Sequence, residues 1–364
     1  MSHRTTLELA LTAALAVALV ALPACEQKKS ESPPVEHAAA DGGAAAQHGV
    51  DKSLAEAVAA VAGNPGADQK GPPESGVFAP GAADREMRAG DYPKLVLGNK
   101  GTGDTIQFAG LPKPMKKLEG RVEVAIQTGP RSAMPTIDLG VTFEPESVKG
   151  EPGAAVPVPV NGKVASAKLA AEQPGELPAG LDKQVAKAKG SRIGFEFAPA
   201  GGARVTDVVP TKDMDESFVQ VVRSASNAFS VAFLPYPTEP VGVGAFWMVT
   251  SRESFAGLDV VVYRMMKLEK IDAGHATISV SAKRFVAGGD IGFQGLPPHD
   301  IAEFAGNTNG RIVVSAADPA DVQGELVDAL VSGLSPKGAP PAGVQPGQKL
   351  QVHVEMQTRF QVGK

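Results

Sequence analysis

The sequence predicts an α+β protein built on a large curved antiparallel sheet, with one or two helices packed against the sheet's apolar face. Three observations carry this. Apolar and polar residues alternate with a period of two in many separate stretches, the pattern of strands with one buried and one wetted face. Turn-forming clusters separate those stretches, and no strand–helix–strand alternation appears, so a parallel nucleotide-binding sheet is not expected. One segment alone shows strong helical periodicity.

The C-terminal run is the clearest strand. Leu350, Val352, Val354, Met356, Phe360 and Val362 point one way, while Gln351, His353, Glu355, Gln357, Arg359 and Gln361 point the other. The same alternation recurs at Val122-Val124-Ile126, Ile137-Leu139-Val141-Phe143, Ile193-Phe195-Phe197 and Ala276-Ile278-Val280-Ala282. Turn signals stand at Ala200-Gly201-Gly202, Asp272-Ala273-Gly274 and Asn307-Thr308-Asn309-Gly310.

The helical segment runs from Asp213 to Ser230, where Met214, Phe218, Val221, Val222, Ala225 and Phe229 share a face. Thr211 or Asp213 is placed to cap it, Asp215 and Glu216 suit the positive end of its dipole, and Pro235 and Pro237 end the region. A second helix is expected over Pro319 to Leu334, where Val322, Leu326, Leu330 and Leu334 recur every four residues, although Gly324 weakens it. Glycine-led strand entries and a helix pattern in each part outline two repeated halves, 91–233 and 234–364.

The N-terminus has a different character. Arg4 precedes an apolar run from Leu9 to Leu22, too short to span a bilayer as a helix, which takes about 20 residues, and suited to the core of a cleaved signal. The run ends Leu22-Pro23-Ala24-Cys25, and Cys25 is the only cysteine of the 364 residues. This string resembles the lipobox of bacterial lipoproteins, with an aliphatic residue three places before the cysteine and a small one directly before it; Pro23 is a less usual occupant of its position. The resemblance implies a signal peptide over 1–24 and diacylglycerol and palmitate on Cys25. Glu26, in place of a retaining aspartate, implies anchoring in the cell outer membrane, facing the periplasm or the outside. A lone exported thiol left free would be exposed to oxidation, which agrees with a modified cysteine.

From Cys25 to residue 90 the chain is rich in Ala, Gly, Pro and Ser, a composition that cannot offset the entropy of ordering, so a disordered tether is expected there. Residues 26–90 carry 6 basic and 10 acidic side chains. Residues 91–364 carry 28 and 29. A near-neutral β-rich domain lacks the clustered basic surface that nucleic acid requires.

The most distinctive string is Pro235-Tyr236-Pro237-Thr238-Glu239-Pro240-Val241-Gly242-Val243-Gly244-Ala245-Phe246-Trp247, with the only tryptophan. It resembles a segment shared by bacterial lipoproteins of a family without an assigned activity: a proline-rich lead, Val-x-Val-Gly, then Trp opening a strand. Physically, Pro235 and Pro237 hold an extended approach, Gly242 and Gly244 allow a tight turn after Val241, and Trp247 plugs the core with its N–H bonded at an edge.

Catalytic patterns are not found. The chain holds no His-Glu-x-x-His, Gly-x-Ser-x-Gly or P-loop string. His275 and His353 read as solvated. His299-Asp300, after Pro297-Pro298 in a glycine-rich stretch, is the one polar pair with catalytic or metal-binding character. Gly98-x-x-Gly101-x-Gly103 enters a strand, which is the wrong context for a dinucleotide. The expectation is therefore a non-enzymatic envelope lipoprotein without cofactor or metal, a binding or structural module for an envelope protein or the cell wall. The alternative is a carrier of lipid or another apolar ligand, with a helix closing the concave side of a half-barrel as in periplasmic lipoprotein-carrier folds.

Overall fold

The computed structural model describes residues 73, 76–110, 117–128, 132–133, 135–146, 156–171, 173, 177, 179–198, 201–255, 258–288, 290–291, 299–336 and 350–363. The expected signal peptide over 1–24, Cys25 and the chain up to residue 72 lie outside them. In chain order the elements are α1 (Ala83–Glu86), β1 (Lys94–Asn99), β2 (Thr102–Ile106), β3 (Leu118–Thr128), β4 (Ser132–Ala133), β5 (Ile137–Pro145), β6 (Val158–Leu169), α2 (Leu181–Ala186), β7 (Arg192–Phe197) and β8 (Ala203–Val209). Then follow α3 (Glu216–Ala232), β9 (Val241–Val243), β10 (Phe246–Phe255), β11 (Leu258–Asp272), β12 (His275–Gly288), β13 (Asp290–Ile291), β14 (His299–Ser315), β15 (Val322–Pro336) and β16 (Leu350–Gly363).

Nearly all strands join one 14-stranded antiparallel sheet, of which twelve run in the order β1-β10-β11-β12-β14-β15-β16-β3-β5-β6-β7-β8 while β4 pairs with β3 and β13 with β14 off this path; β2 and β9 form a separate pair. The fold class is as expected: α+β, with one large curved sheet. Its path explains the long connections. The chain meanders outward from β3 to the edge strand β8, passes through α3, and re-enters next to the opposite edge at β10. It then meanders back until β16 pairs with β3.

Helix α3 is the interior of this sheet. Its 17 residues span about 25 Å, and it packs against β3, β8, β10, β15 and β16. Phe218, Val221, Val222, Ala225 and Phe229 are buried, as their spacing predicts. The helix starts at Glu216, later than the expected capping positions, and the Thr211 hydroxyl donates to the Lys187 carbonyl. At its far end Phe229 and Phe233 stand edge-on to Phe143, at 5.0 and 5.4 Å between ring centres. The Phe233 carbonyl accepts the Ala203 N–H, which ties the helix end to β8.

The second expected helix is corrected: Val322–Pro336 is the strand β15. A spacing of four is also a multiple of two, so Val322, Leu326, Leu330 and Leu334 share one face of a strand equally well. The residues between them settle it, since Asp328 and Ser332 are buried on that same face. The expected turn at Asn307–Gly310 is likewise the middle of β14, with Thr308 buried. No helix follows residue 234 among the described residues, so the helix pattern expected in the second half is a strand there.

The spacer is corrected at its C-terminal end. Residues 76–90 belong to the folded body and cover the outer face of β10–β12. Phe78, Ala83 and Met87 form a small apolar cluster with Met248, Val261, Tyr263 and Ala287. Phe78 N–H donates to the Val286 carbonyl, and Val286 N–H to that of Gly76.

The β11–β12 hairpin closes through Ala273 and Gly274, at φ 47° and 80°. Both central residues of such a tight turn need positive φ, and alanine is strained there. Replacing Ala273 by Gly or Asn is expected to raise unfolding stability by about 1 kcal/mol, read as an upward shift of the urea midpoint. Phe229→Ala, which empties the aromatic contact between α3 and the sheet, is expected to lose about 3–5 kcal/mol in the same measurement.

Candidate functional site, the seam of the sheet

Because the sheet curls around α3, its two ends approach each other. Tyr92, just before β1, donates its hydroxyl hydrogen to the Glu196 carboxylate on β7. Arg204 on β8 donates to the same carboxylate at 2.7 Å, and its guanidinium lies 4.9 Å from the centre of the Tyr92 ring. This clasp joins the first strand of the sheet to the last two. Burial and then the Glu196 hydrogen bond push the Tyr92 phenol up to about 12. In return the Tyr92 hydroxyl, followed by Arg204, holds the Glu196 carboxyl below its ordinary range against the opposing effect of burial.

Beside the clasp a cleft of about 430 Å³ opens along the seam. One wall is Ala203–Val208 of β8. Consecutive residues line it, so it is the edge of the strand and not a face that borders the cleft. The opposite wall is Ser251–Ser254 of β10. Pairing between β10 and β1 stops at Thr250, so this tail of β10 is a second open edge. Pro93, which lacks an N–H and restricts the residue before it, marks where the entering chain leaves β10 and crosses to the clasp.

The floor is a stripe of α3. Arg223, Ser226, Asn227 and Ser230 recur at i, i+3, i+4 and i+7 and all line the cleft. The Ser226 and Ser230 hydroxyls donate to the Arg223 and Ser226 carbonyls at 2.6 and 2.9 Å, so their lone pairs stay available as acceptors. Asn227 is only 7% exposed, and its carboxamide makes no hydrogen bond among the described residues.

Behind the β10 wall runs a buried polar ladder. Arg264 donates to the Ser251 hydroxyl at 2.7 Å and grips the Glu253 carboxylate with two bonds of 2.7 and 2.6 Å. Burial is the largest influence on Glu253 and works against its charge; the facing Arg264 outweighs it and holds the carboxyl below its ordinary value. Further in, Arg284 pairs with Asp328 at 2.7 Å, with Thr308 donating to the same carboxylate and Phe255 stacked 4.0 Å from the guanidinium. The inward register positions of Arg264, Arg284 and Asp328, each in a run of apolar inward residues, were the sequence signal for this ladder. The polar stripe on α3 was legible by the same helical spacing as the apolar one.

The candidate polar pair of the sequence is split between the two faces of a strand. His299 and Asp300 are neighbours at the start of β14, so strand geometry sends them to opposite faces: His299 is buried and Asp300 exposed. No three His, Cys, Asp or Glu side chains come together among the described residues. His275 sits beside its turn, facing the Ala273 carbonyl at 3.2 Å, and His353 is exposed on β16.

The proline-glycine-tryptophan segment forms one end of the core. Pro235, Pro237, Val241 and Trp247 are buried, and Gly244 takes φ 83°. A side chain at Gly242 would collide with the Thr102 backbone of the paired strand β2. Phe108 stacks on Tyr236 at 4.7 Å and meets Trp247 edge-on at 6.4 Å. The expected bond from the Trp247 N–H is absent among the described residues: the indole nitrogen is buried and unpartnered. Beside this cluster lies a smaller apolar hollow of about 230 Å³, walled by Phe108, Phe233, Leu234 and Tyr236.

The described body is thus a wrapped antiparallel sheet filled by a helix, with a hydrophilic cleft at its seam. No family model matches the chain, and no curated protein matches it. Among solved structures the chain is similar to a lipovitellin chain studied for lipid–protein interactions, with a TM-score of 0.38 and 12% identity over 68% of this chain and 25% of that one. This chain therefore spans about a quarter of that structure's length. No helix among the described residues is long and apolar enough to cross a membrane.

The chain holds three tyrosines, Tyr92, Tyr236 and Tyr263, and burial raises all three phenols. An ultraviolet titration of the native protein is expected to show no phenolate near pH 10. In the unfolded chain the phenols ionise near 10, so the clasp's contribution is complete below that pH and is lost as pH rises from 10 through about 12. In acid the Glu196 contribution is complete above the ordinary carboxylate range and fades as pH falls through its depressed value. Tyr92→Phe should remove the step near 12 and speed amide exchange along β8; unchanged exchange would mean that the clasp does not hold the seam.

Proposed function

We propose that this chain is a membrane-anchored envelope lipoprotein, non-enzymatic, whose β-rich body is a binding module with the seam cleft as its site. The observation that carries the binding site is the cleft itself, a hydrophilic gap between two open strand edges that Ser226, Asn227 and Ser230 line. The Asn227 carboxamide offers a ligand both donors and an acceptor from the floor of that gap. The anchor is supported by Leu22-Pro23-Ala24-Cys25 at the foot of the apolar run, and the outer membrane by Glu26. Three acyl chains, as lipoproteins of this type carry, hold a soluble domain durably, whereas one does not.

Two measurements test this reading. Cys25→Ala is expected to abolish fatty-acid labelling and move the protein from the membrane to the soluble fraction; labelling that survives the substitution removes the anchor. Asn227→Leu, which replaces the amide by an apolar group of similar size, is expected to weaken ligand binding while leaving the urea midpoint of the ligand-free protein little changed.

Carriage of lipid is the second reading, and the apolar hollow beside Phe108 and Tyr236 favours it. An acyl chain calls for several hundred Å³, more than this hollow holds, so α3 would have to swing out of the sheet. Mass spectrometry of an organic extract of the purified protein decides between the two. Stoichiometric acyl lipid beyond the Cys25 anchor would favour carriage; its absence would end that reading.

A further inference from the structure

We propose that the seam cleft takes an extended peptide, which adds as a strand between the open edge of β8 and the unpaired tail of β10. This rests on the reading of the cleft as a binding site and names the chemistry of its ligand.

The first argument is the sheet itself. Among the described residues strand β8 has a neighbour on one side only, β7, and the tail of β10 beyond Thr250 has a neighbour only in β11. Each edge presents backbone N–H and C=O groups at alternate residues. On β8 the side facing α3 is identified by Ala203, whose N–H reaches the Phe233 carbonyl; Val205, two residues on, presents its own N–H and C=O the same way. A strand laid in the gap would bond to both edges and make the curled sheet continuous.

The second argument is the state of the charges. Most charged groups bordering the cleft already have ionic partners: Arg204 has Glu196, Arg252 has Asp84 and Asp259, Glu253 has Arg264, and Asp91 has Lys94, while exposed Asp207 accepts from the Thr206 hydroxyl. An anionic ligand would find Arg204 and Arg252 already engaged, and the one carboxylate among these groups without a cation, Asp207, stands exposed on β8. What remains open is uncharged hydrogen-bonding capacity, namely the two strand edges, the serine lone pairs and the Asn227 carboxamide. A carboxamide offers one acceptor and two donors, the complement of a peptide unit.

Size gives the third. At about 3.4 Å rise, about 4.8 Å strand spacing and about 10 Å sheet thickness, a strand residue fills roughly 160 Å³. The cleft of about 430 Å³ then encloses about three residues. Side chains that point down meet Ser226, Asn227 and Ser230 and must be small and uncharged. Those that point out are free to vary. Main-chain bonds would supply the affinity and the inward positions the specificity, as in other strand-addition complexes.

The test uses the full chain and a displayed library of random peptides about seven residues long. Enriched peptides should carry small uncharged residues at alternate positions. Methylating the backbone nitrogens at alternate residues should weaken binding about tenfold or more in one register and little in the other. Bound peptide should slow amide exchange at Val205 and within Ser251–Ser254, and Asn227→Ala should weaken it. Binding indifferent to backbone methylation, or no enrichment, overturns strand addition. Chitin oligosaccharides that bind and lose affinity in Asn227→Ala would also overturn it while leaving the cleft as a binding site. If neither peptide nor glycan depends on Asn227, the binding-site reading falls as well.

Discussion

The inner face of the sheet must be filled, and α3 fills it. Strands alternating with period two carry an apolar face along the whole sheet, from Leu139 and Phe143 on β5 to Val260 and Met266 on β11. Left open, that face would expose several thousand Å² of apolar surface at about 25 cal/mol per Å². A single helix of 17 residues is narrow, so the sheet can cover it only by curling around it. The aromatic contacts of Phe229 and Phe233 with Phe143 and Phe195 lock that arrangement from within.

Everything at the seam is a consequence. A sheet that curls around a helix brings its edges together, and the connection from β8 through α3 to β10 is short enough only because it does. The helix cannot then be apolar all round. Its sector facing the gap between the edges bears Ser226, Asn227 and Ser230, while the sector facing the sheet bears Phe218, Val222 and Phe229. The clasp of Tyr92, Glu196 and Arg204 closes one part of the gap, and the rest remains a hydrophilic cleft. The buried pairs Arg264–Glu253 and Arg284–Asp328 add little net stability against apolar replacements, since desolvation offsets their attraction. Their value lies in register: removing one partner leaves a buried charge, so slipping β10, β12 or β15 by one residue is heavily penalised.

Much of the sheet was legible because alternation is a local property, and every strand named from the sequence is a strand in the fold. The failures have local causes too. Val322 to Leu334 reads as a helix because multiples of four satisfy both periods, and only the burial of Asp328 and Ser332 separates them. Asn307–Gly310 reads as a turn because its residues favour turns, yet Thr308 is needed inside β14 to bond Asp328. His299 and Asp300 read as a pair because they are adjacent, but adjacency in a strand means opposite faces. Asn227 went unnoticed because a polar residue on an amphipathic helix ordinarily faces water; here it faces an enclosed gap.

The amino-acid sequence alone determined the class of fold, the place of the main helix and the lipobox-like string at Cys25, since these follow from periodicity and from local composition. Only the tertiary structure decided which strand edges stay open, that residues 76–90 join the body, and that Asn227 faces the cleft between those edges. Those facts depend on how far a sheet must curl to cover one helix. That curvature is set by packing among residues scattered over more than two hundred positions of chain, from Leu118 to Val362, and no local pattern carries it.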